Sequence, residues 1–317
     1  MLTVLLATKN RSQVFRSVLE CFCKLTQPQS GWKLIVVDNG SSDGTDDVLA
    51  SFSTRLPLTS VSEKKPGKNF ALNAGLDLIE GDLAVLTDDD VFPDENWLVH
   101  LRTAADKLPD FTIFGGPIRP YWETPPPSWI EWADMGAAFA VTDPSWKEGP
   151  IPANCVWGPN MAIRTGVFRS GIRFDTSIGP RGANYVQGGD TELTRRLERQ
   201  GHKAWHVLGA SVRHYIRREQ LDRRWVMRRA VRHGRGEYRL GHASEATTRR
   251  LLFGTPRYLY RKLYHEARKT VAAVVLGNQG ELFRSRWRFN YVRGEIQEAR
   301  ILVQESVKRA PSSHSKC

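Results

Sequence analysis

The first ninety residues alternate between short apolar runs and helix-like stretches, and that rhythm admits few architectures. "LTVLLAT" (2–8), "KLIVVDN" (33–39), "LTSVSE" (58–63) and "DLAVLT" (82–87) read as strands. Between them lie "RSQVFRSVLECFCKL" (11–25), with Val14, Val18 and Phe22 on one stripe, "SDGTDDVLASF" (42–52), opening on cap and turn residues, and "KNFALNAGLDLI" (68–79). Apolar residues at helical spacing bury one side of a helix, whereas unbroken apolar runs suit strands covered on both faces. Strand and helix in strict turn imply an α/β chain with a mostly parallel sheet between helices. In such sheets ligands bind beyond the carboxyl ends of the strands. Thr8, Asp38 and the aspartates at 88–90 all stand at such ends, so sites far apart in sequence are expected to meet in one crevice.

Several classes are disfavoured at once. There is no G-x-G-x-x-G after the first strand and no G-x-x-x-x-G-K-[ST], which argues against a dinucleotide fold and a P-loop. Cys21, Cys23, Cys155 and Cys317 are too few and too irregular for a disulfide framework, and the C-x-C pair lacks a second pair for zinc; all four are expected to be reduced. The amino-terminal apolar run has no charged region before it and gives way to a polar turn, so it reads as a strand and not a signal peptide. The longest later run, "VAAVVL" (271–276), is far short of the about 20 residues that span a bilayer. A cytoplasmic protein, not integral to a membrane, is expected.

Charge divides the chain. Residues 1–194 carry 17 Lys and Arg against 24 Asp and Glu, while residues 195–317 carry 29 against 10. The basic part is either a solvated surface or a surface for an anionic partner. Residues 115–160, rich in proline, glycine and tryptophan, predict irregular, aromatic-lined structure. Residues 155–168 predict a strand, a turn and a short helix, and 188–215 a helix ended by Gly201 followed by a strand. Helices dominate from about 219, and the tail "RAPSSHSKC" is expected to fray. On a helical projection of 257–276, Arg257, Arg261, Lys262, His265, Arg268 and Lys269 fall on one arc. Leu259, Tyr260, Leu263, Tyr264, Ala267, Val271 and Val274 fall on the other. Such a helix either packs on the catalytic domain with its basic side in water or lies on an anionic membrane surface.

The most telling stretch is "LAVLTDDDVFPDENW" (83–97), an apolar strand that ends in three aspartates. Adjacent carboxylates repel, and a hard divalent cation such as Mg²⁺ or Mn²⁺ is the natural counter-charge. On an extended segment Asp88 and Asp90 face one way and Asp89 the other. The alternative is an acidic turn before Pro93.

The segments "VLLATKNR", "LIVVDNGSSDGT", "ALNAG", "LTDDDVFPD", "WGPNMAIR" and "GGDTELTRRLERQG" occur in the order found in family 2 glycosyltransferases of the GT-A fold, which the chain resembles over about 1–240. That resemblance implies a metal-dependent enzyme, using Mn²⁺ or Mg²⁺. It would move a sugar, with inversion, from a nucleotide-sugar (a UDP-sugar by this reading) to a saccharide or lipid-linked acceptor. It divides the chain into a catalytic domain at 1–215, with a donor half (1–110) and an acceptor half (111–215), and a basic helical extension at 216–317. Nucleic acid is not an expected partner, and attachment would be peripheral, at the inner face of the cell membrane.

The resemblance also assigns residues. Asp38 would accept from the nucleotide base, its alternative being a turn aspartate bonded to Gly40 or Ser41. Thr8 and Arg11 would lie beside base, ribose or phosphates, although Arg11 could equally be a helix-surface arginine. Lys68 and Asn73 would flank the donor; a lysine at a helix start is locally unfavourable, which an anionic ligand would explain. Asp88 and Asp89 would serve the donor, Asp88 through the ribose or a metal-bound water, and Asp90 would bind the cation. Asp190 would be the base, with Glu192 as backup; where the family commonly has Glu-Asp, this chain has Gly189-Asp190. Asp190 could also be a helix N-cap. Trp157 and Asn160 would line the acceptor pocket, with Trp122, Trp129 and Trp132 as further loop candidates, against a core tryptophan and a turn asparagine. His214, following a strand, would approach the pyrophosphate or cation, or serve structure alone. The rivals are a donor-binding but inactive homologue, a basic nucleic-acid binder, and a nucleotidyltransferase. The last would show a glycine-rich basic loop where "ATKNRSQ" stands.

Overall fold

The structure is a computed structural model and describes residues 1–182, 185–242 and 251–309. The expected alternation is present. Its elements are β1 (Leu2–Thr8), α1 (Ser12–Phe22), β2 (Trp32–Asp38), α2 (Thr45–Phe52), β3 (Leu58–Ser62), α3 (Lys68–Leu76) and β4 (Leu83–Leu86). There follow β5 (Val91–Pro93), α4 (Trp97–Lys107), β6 (Ile113–Gly115), β7 (Ile118–Trp122), the short α5 (Met135–Phe139) and β8 (Gly149–Ile151). Next come β9 (Met161–Arg164), α6 (Gly166–Arg169), α7 (Gly189–Arg199), β10 (Ala204–His206) and β11 (Val212–Ile216). The chain continues with α8 (Arg223–His242), a hairpin of β12 (Leu251–Leu252) and β13 (Thr255–Pro256), α9 (Arg257–Val275) and α10 (Gln279–Arg309). The tail from 310, including Cys317, lies outside the described residues; Cys21, Cys23 and Cys155 are free thiols.

Contacts divide the chain into two compact units. The first comprises 1–124, 139–185 and 189–217, and the second 125–138, 186–188 and 218–317. In the first unit an eight-stranded sheet runs β3-β2-β1-β4-β9-β6-β10-β8, with a three-stranded sheet β5-β11-β7 beside it. β1 pairs parallel with both β2 and β4, and the register sets Thr8 opposite Asp38 and Leu5 opposite Leu86. Along β1 the side chains alternate between two cores: Leu2, Val4 and Leu6 join Phe15, Val18 and Phe52, while Leu5 joins Leu72 and Leu193. Both faces being covered, the strand reads as continuously apolar. Truncating Leu6 to Ala in such a core costs about 2–5 kcal/mol. β9 runs antiparallel to both β4 and β6, so its beginning, and not its end, arrives at the edge where the parallel strands finish.

The second unit is helical. Tyr238 of α8, Leu259 of α9 and Val292, Ile296 and Ala299 of α10 form its core. Glu298, with no exposed surface, takes Arg235 at 2.8 Å and also Arg239, and Glu295 holds Lys262 at 2.9 Å. α9 presents a different face from the one its periodicity predicted. Leu259 and Ala273 are buried, but Tyr264, Val271 and Val274 are exposed together with Val275 and Leu276. The packed line follows Leu259, Leu263 and Ala273, and Lys262, still 47% exposed, reaches across to the Glu295 carboxylate. Among the described residues no helix is long and apolar enough to cross a membrane.

Candidate active site

The parallel strands end where the sequence placed the chemistry. Thr87 continues β4, its N–H bonding to Leu5 O at 3.2 Å. The chain then turns, and this turn changes the expected arrangement. Residues 89 and 90 are not extended, so the strand alternation does not apply, and Asp89 faces the same cluster as Asp90. Thr8 Oγ1 donates to Asp89 Oδ2 at 2.8 Å. Arg11, at the start of α1, donates to Asp89 Oδ1 at 2.8 Å and also to Asp90. Lys68, the first residue of α3, pairs with Asp88. His214 lies within β11, not after it, with Nε2 3.6 Å from Asp90 Oδ1.

These contacts set the protonation of the cluster. Burial pushes Asp89 up to about 6 despite Arg11. Burial works the same way on Asp90, but Arg11, His214 and Lys68 outweigh it and hold that carboxyl below its ordinary range. One guanidinium serves both acids; Asp90, with two further cationic neighbours, keeps its charge more firmly. For Arg11 and Lys68 burial opposes the charge, and the aspartates more than offset it, raising both. Asp190 is among the groups that act on Lys68, so the expected base and the acidic turn lie within reach of one ammonium.

The residues fit a divalent cation. His214 Nδ1 lies 2.6 Å from Phe139 O, which can only accept, so Nδ1 carries a proton, and Nε2, beside Asp90, would offer its lone pair to a cation that displaces its own proton. Two electron-pair donors facing one another, with Asp88 two residues away, suit Mg²⁺ or Mn²⁺. Among the described residues no three His, Cys, Asp or Glu side chains form a ready-made cage. An ion here would take one or two protein ligands and complete its shell with phosphate and water.

Asp190 stands in the first turn of α7, inside the helix. Its Oδ2 accepts from Gly158 N at 2.8 Å and its Oδ1 from Thr191 N at 2.9 Å. Glu192 is held instead by Arg196, one helical turn on, at 3.0 Å. The glycine before Asp190 has a steric reason. A Cβ at Gly189 would lie 2.5 Å from Asn69 Nδ2, so the glutamate common in the family does not fit here. Asn69 is a residue that sequence reasoning passed over; it donates to Asp175 O at 2.8 Å and Ile178 O at 2.9 Å. Asn39 was missed as well. It donates to Glu63 O and Lys65 O and accepts from Gly67 N, which fixes the loop that delivers Lys68. A polar residue after a strand-end aspartate, before a glycine turn, is the only signal that could have singled it out.

Other expected contacts are engaged inside the fold. Asn160 is 1% exposed; its amide donates to Pro117 O and Ala210 O and accepts from Trp97 Nε1, so it pins the sheet edge and is not open to a saccharide. Asn73 forms a two-way bond with the backbone of Phe174 at 2.9 Å, bracing a loop where donor contact was expected. The Thr8 hydroxyl is occupied by Asp89 and does not face a base. Asp38 accepts from Ser41 N and Ser41 Oγ, the turn geometry foreseen as its alternative. Trp157 is half-buried, bonds to Asn154 O and lies 6.0 Å from the Trp146 ring. Trp122 packs edge-on to Phe139. Trp129 and Trp132 belong to the second unit and pack on Phe283.

The family model described as glycosyl transferase family 2 matches residues 3–175, more than half of the chain. The protein belongs to glycosyl transferase family 2. It is 25% identical over 203 residues to glycosyltransferase AglE of Haloferax volcanii, matching 63% of this chain and 62% of that one. To the glucosyl-dolichyl phosphate glucuronosyltransferase of the same organism it is 21% identical over 212 residues, 66% of this chain and 67% of the relative. The chain thus matches less than two thirds of the length of AglE. Among solved structures it resembles the mannosyltransferase PcManGT from Pyrobaculum calidifontis, in complex with GDP-Man and Mn²⁺. The TM-score is 0.58 at 17% identity, over 94% of this chain and 86% of that one. It also resembles S. aureus TarS 1–349 in complex with UDP, at 0.54 and 14%, over 93% and 90%. These likenesses establish the GT-A fold.

Proposed function

We propose that this glycosyltransferase moves a sugar from a nucleotide-sugar donor, a UDP-sugar by preference, to a saccharide or lipid-linked acceptor, with inversion. The observation that carries the reading is the acidic turn at 88–90, fixed at the ends of the parallel strands beside His214 Nε2, with Asp190 acting on the same lysine. Asp90 and His214 would hold Mn²⁺ or Mg²⁺, with Asp88 at its edge. The cation, when bound, supplies charge for the departing nucleoside diphosphate. Arg11 and Lys68 neutralise the aspartates before the donor arrives and add positive potential for its phosphates. Asp38, at the adjoining strand end, is the acceptor for the base. Asp190, aimed by two main-chain amides, takes the proton of the attacking hydroxyl, and Trp157 offers a ring face for the sugar. Residues 1–215 would form the catalytic domain and 216–317 the basic extension. The solved PcManGT complex with Mn²⁺, the UDP complex of TarS and the dolichyl phosphate enzyme of Haloferax support donor, metal and acceptor class. Arg261 and Arg268 beside the exposed Tyr264 and Val271 of α9 favour work at an anionic membrane surface.

The test is a donor screen with UDP-, GDP- and dTDP-sugars in Mn²⁺, reading released nucleoside diphosphate, with calorimetry on the same panel. Release from one donor, abolished by EDTA and reduced about a thousandfold in Asp90→Ala, is expected. Absence of metal-dependent binding to every donor would overturn the reading.

A further inference from the structure

The second unit contains a cavity of about 290 Å³ whose wall is arginine on one side and apolar on the other. Arg223, Arg224 and Arg228 come from the first turns of α8, and Arg286 from the first turns of α10. Met227, Leu282 and Phe283 supply the apolar part. All four arginines are exposed, and among the described residues none of them has an ion-pair partner. Four like charges around one space repel, by an amount that the surrounding water screens.

The nearby acids are directed elsewhere. Asp222 Oδ1 caps α8, accepting from the backbone N–H of Arg224 and Trp225 at 2.8 and 3.0 Å. Glu281 pairs with Arg284 and Arg288 along a different face of α10. Arg223 is also held in place, with its guanidinium 5.6 and 5.8 Å from the Trp129 and Trp132 rings, which themselves pack on Phe283. A fixed guanidinium loses less freedom when it binds a phosphate oxygen. In sequence Gln279, which lines the cavity, follows the exposed Val275 and Leu276 by a short turn.

We propose that this cavity is a phosphate site for a phosphate group carried on an aliphatic chain. The arginines answer the phosphate oxygens in forked hydrogen bonds. Met227, Leu282 and Phe283 take the first methylenes of the chain. A free inorganic phosphate would satisfy only the first half of this site.

Calorimetry on the full chain tests it, with decyl phosphate below its micellar concentration as the probe. Inorganic phosphate, pyrophosphate and decyl maltoside are the comparators. Decyl phosphate should bind at least about tenfold more tightly than inorganic phosphate or pyrophosphate, since two buried methylenes already supply that factor, and at least about tenfold more tightly than decyl maltoside, which lacks the charge that the arginines bond. Arg228→Glu with Arg286→Glu should weaken it at least about tenfold, whereas Arg284→Glu, on the Glu281 side of α10, should leave it unchanged. Arg228→Gln with Arg286→Gln, checked by circular dichroism for an unaltered melt, guards against a folding defect. Pyrophosphate binding as tightly as decyl phosphate would overturn the proposal in favour of a free-phosphate site. Decyl maltoside binding as tightly would reduce it to an apolar surface, and equal loss in Arg284→Glu to a diffuse field. The assay uses neither donor nor turnover, so its failure and that of the proposed transfer are separable.

Discussion

At the sheet edge each of the three aspartates meets a cation from another element, whereas the four arginines around the cavity of the second unit have no ion-pair partner among the described residues. Both are charge clusters, yet they stand in opposite balance. The acidic turn is neutralised from within by Arg11 and Lys68, so it holds its shape without a ligand. The arginine cavity keeps its repulsion until something from outside relieves it. The same unit shows that its arginines can be neutralised where they are buried, since Arg235 and Arg239 close on Glu298. An internal counter-charge accompanies burial there, whereas the four arginines of the cavity are exposed and reachable by an outside anion.

The largest effect should come from an acid that main-chain amides position. Asp190→Asn should lower kcat by about 10²–10⁴ while donor affinity measured by calorimetry stays near wild type. Equal loss in both would place Asp190 in donor binding. Next, Glu298→Gln should destabilise the protein by about 3–5 kcal/mol in urea, because it strands two arginines in the helical core. Arg286→Gln, at the cavity, should change stability by less than about 0.5 kcal/mol. Similar costs for the two would erase the contrast between paired and unpaired arginine.

A smaller effect is expected from restoring the family's acid pair. Gly189→Glu should cost about 1–3 kcal/mol, because its Cβ meets the Asn69 amide. Adding Asn69→Ala should recover part of that loss; no recovery would mean that the obstruction lies elsewhere. The smallest concerns His206, a buried residue whose pKa burial lowers. A depressed imidazole pKa contributes stability above the unfolded value of about 6.5, lost as pH falls through the folded value. His206→Gln should therefore show a shallower fall in stability from pH 7 to pH 5 than wild type.

Much of the sheet was legible because its strands are apolar runs that alternate with helices, and the period alone separates the two. The convergence of Thr8 and the aspartates followed from topology, and Thr8 does bond to Asp89. What the residues could not show was direction within a turn. Asp89 was expected to face away because an extended chain alternates, but the chain stops being extended at that point. The asparagines were opaque for another reason. Asn69, Asn73 and Asn160 bond to backbone atoms more than forty residues away, and any residue can supply such a partner. α9 misled because it packs along Leu259, Leu263 and Ala273 and leaves Tyr264, Val271 and Val274 of its apolar arc exposed. The excess of arginine was plain in the composition, but only folding gathers four of them round one space.

The two amide bonds to Asp190 have a consequence for how this protein tolerates change. The carboxylate is aimed by Gly158 N and Thr191 N, and every residue type except proline offers the same N–H. A mutational scan of the surrounding side chains should therefore find broad tolerance. The intolerant positions should be Gly158 and Gly189, where an added Cβ would crowd Asp190 at 3.3 Å and Asn69 at 2.5 Å. The aim of the proposed base is thus protected by the shape of the backbone, and its weak points are places where a side chain must be missing.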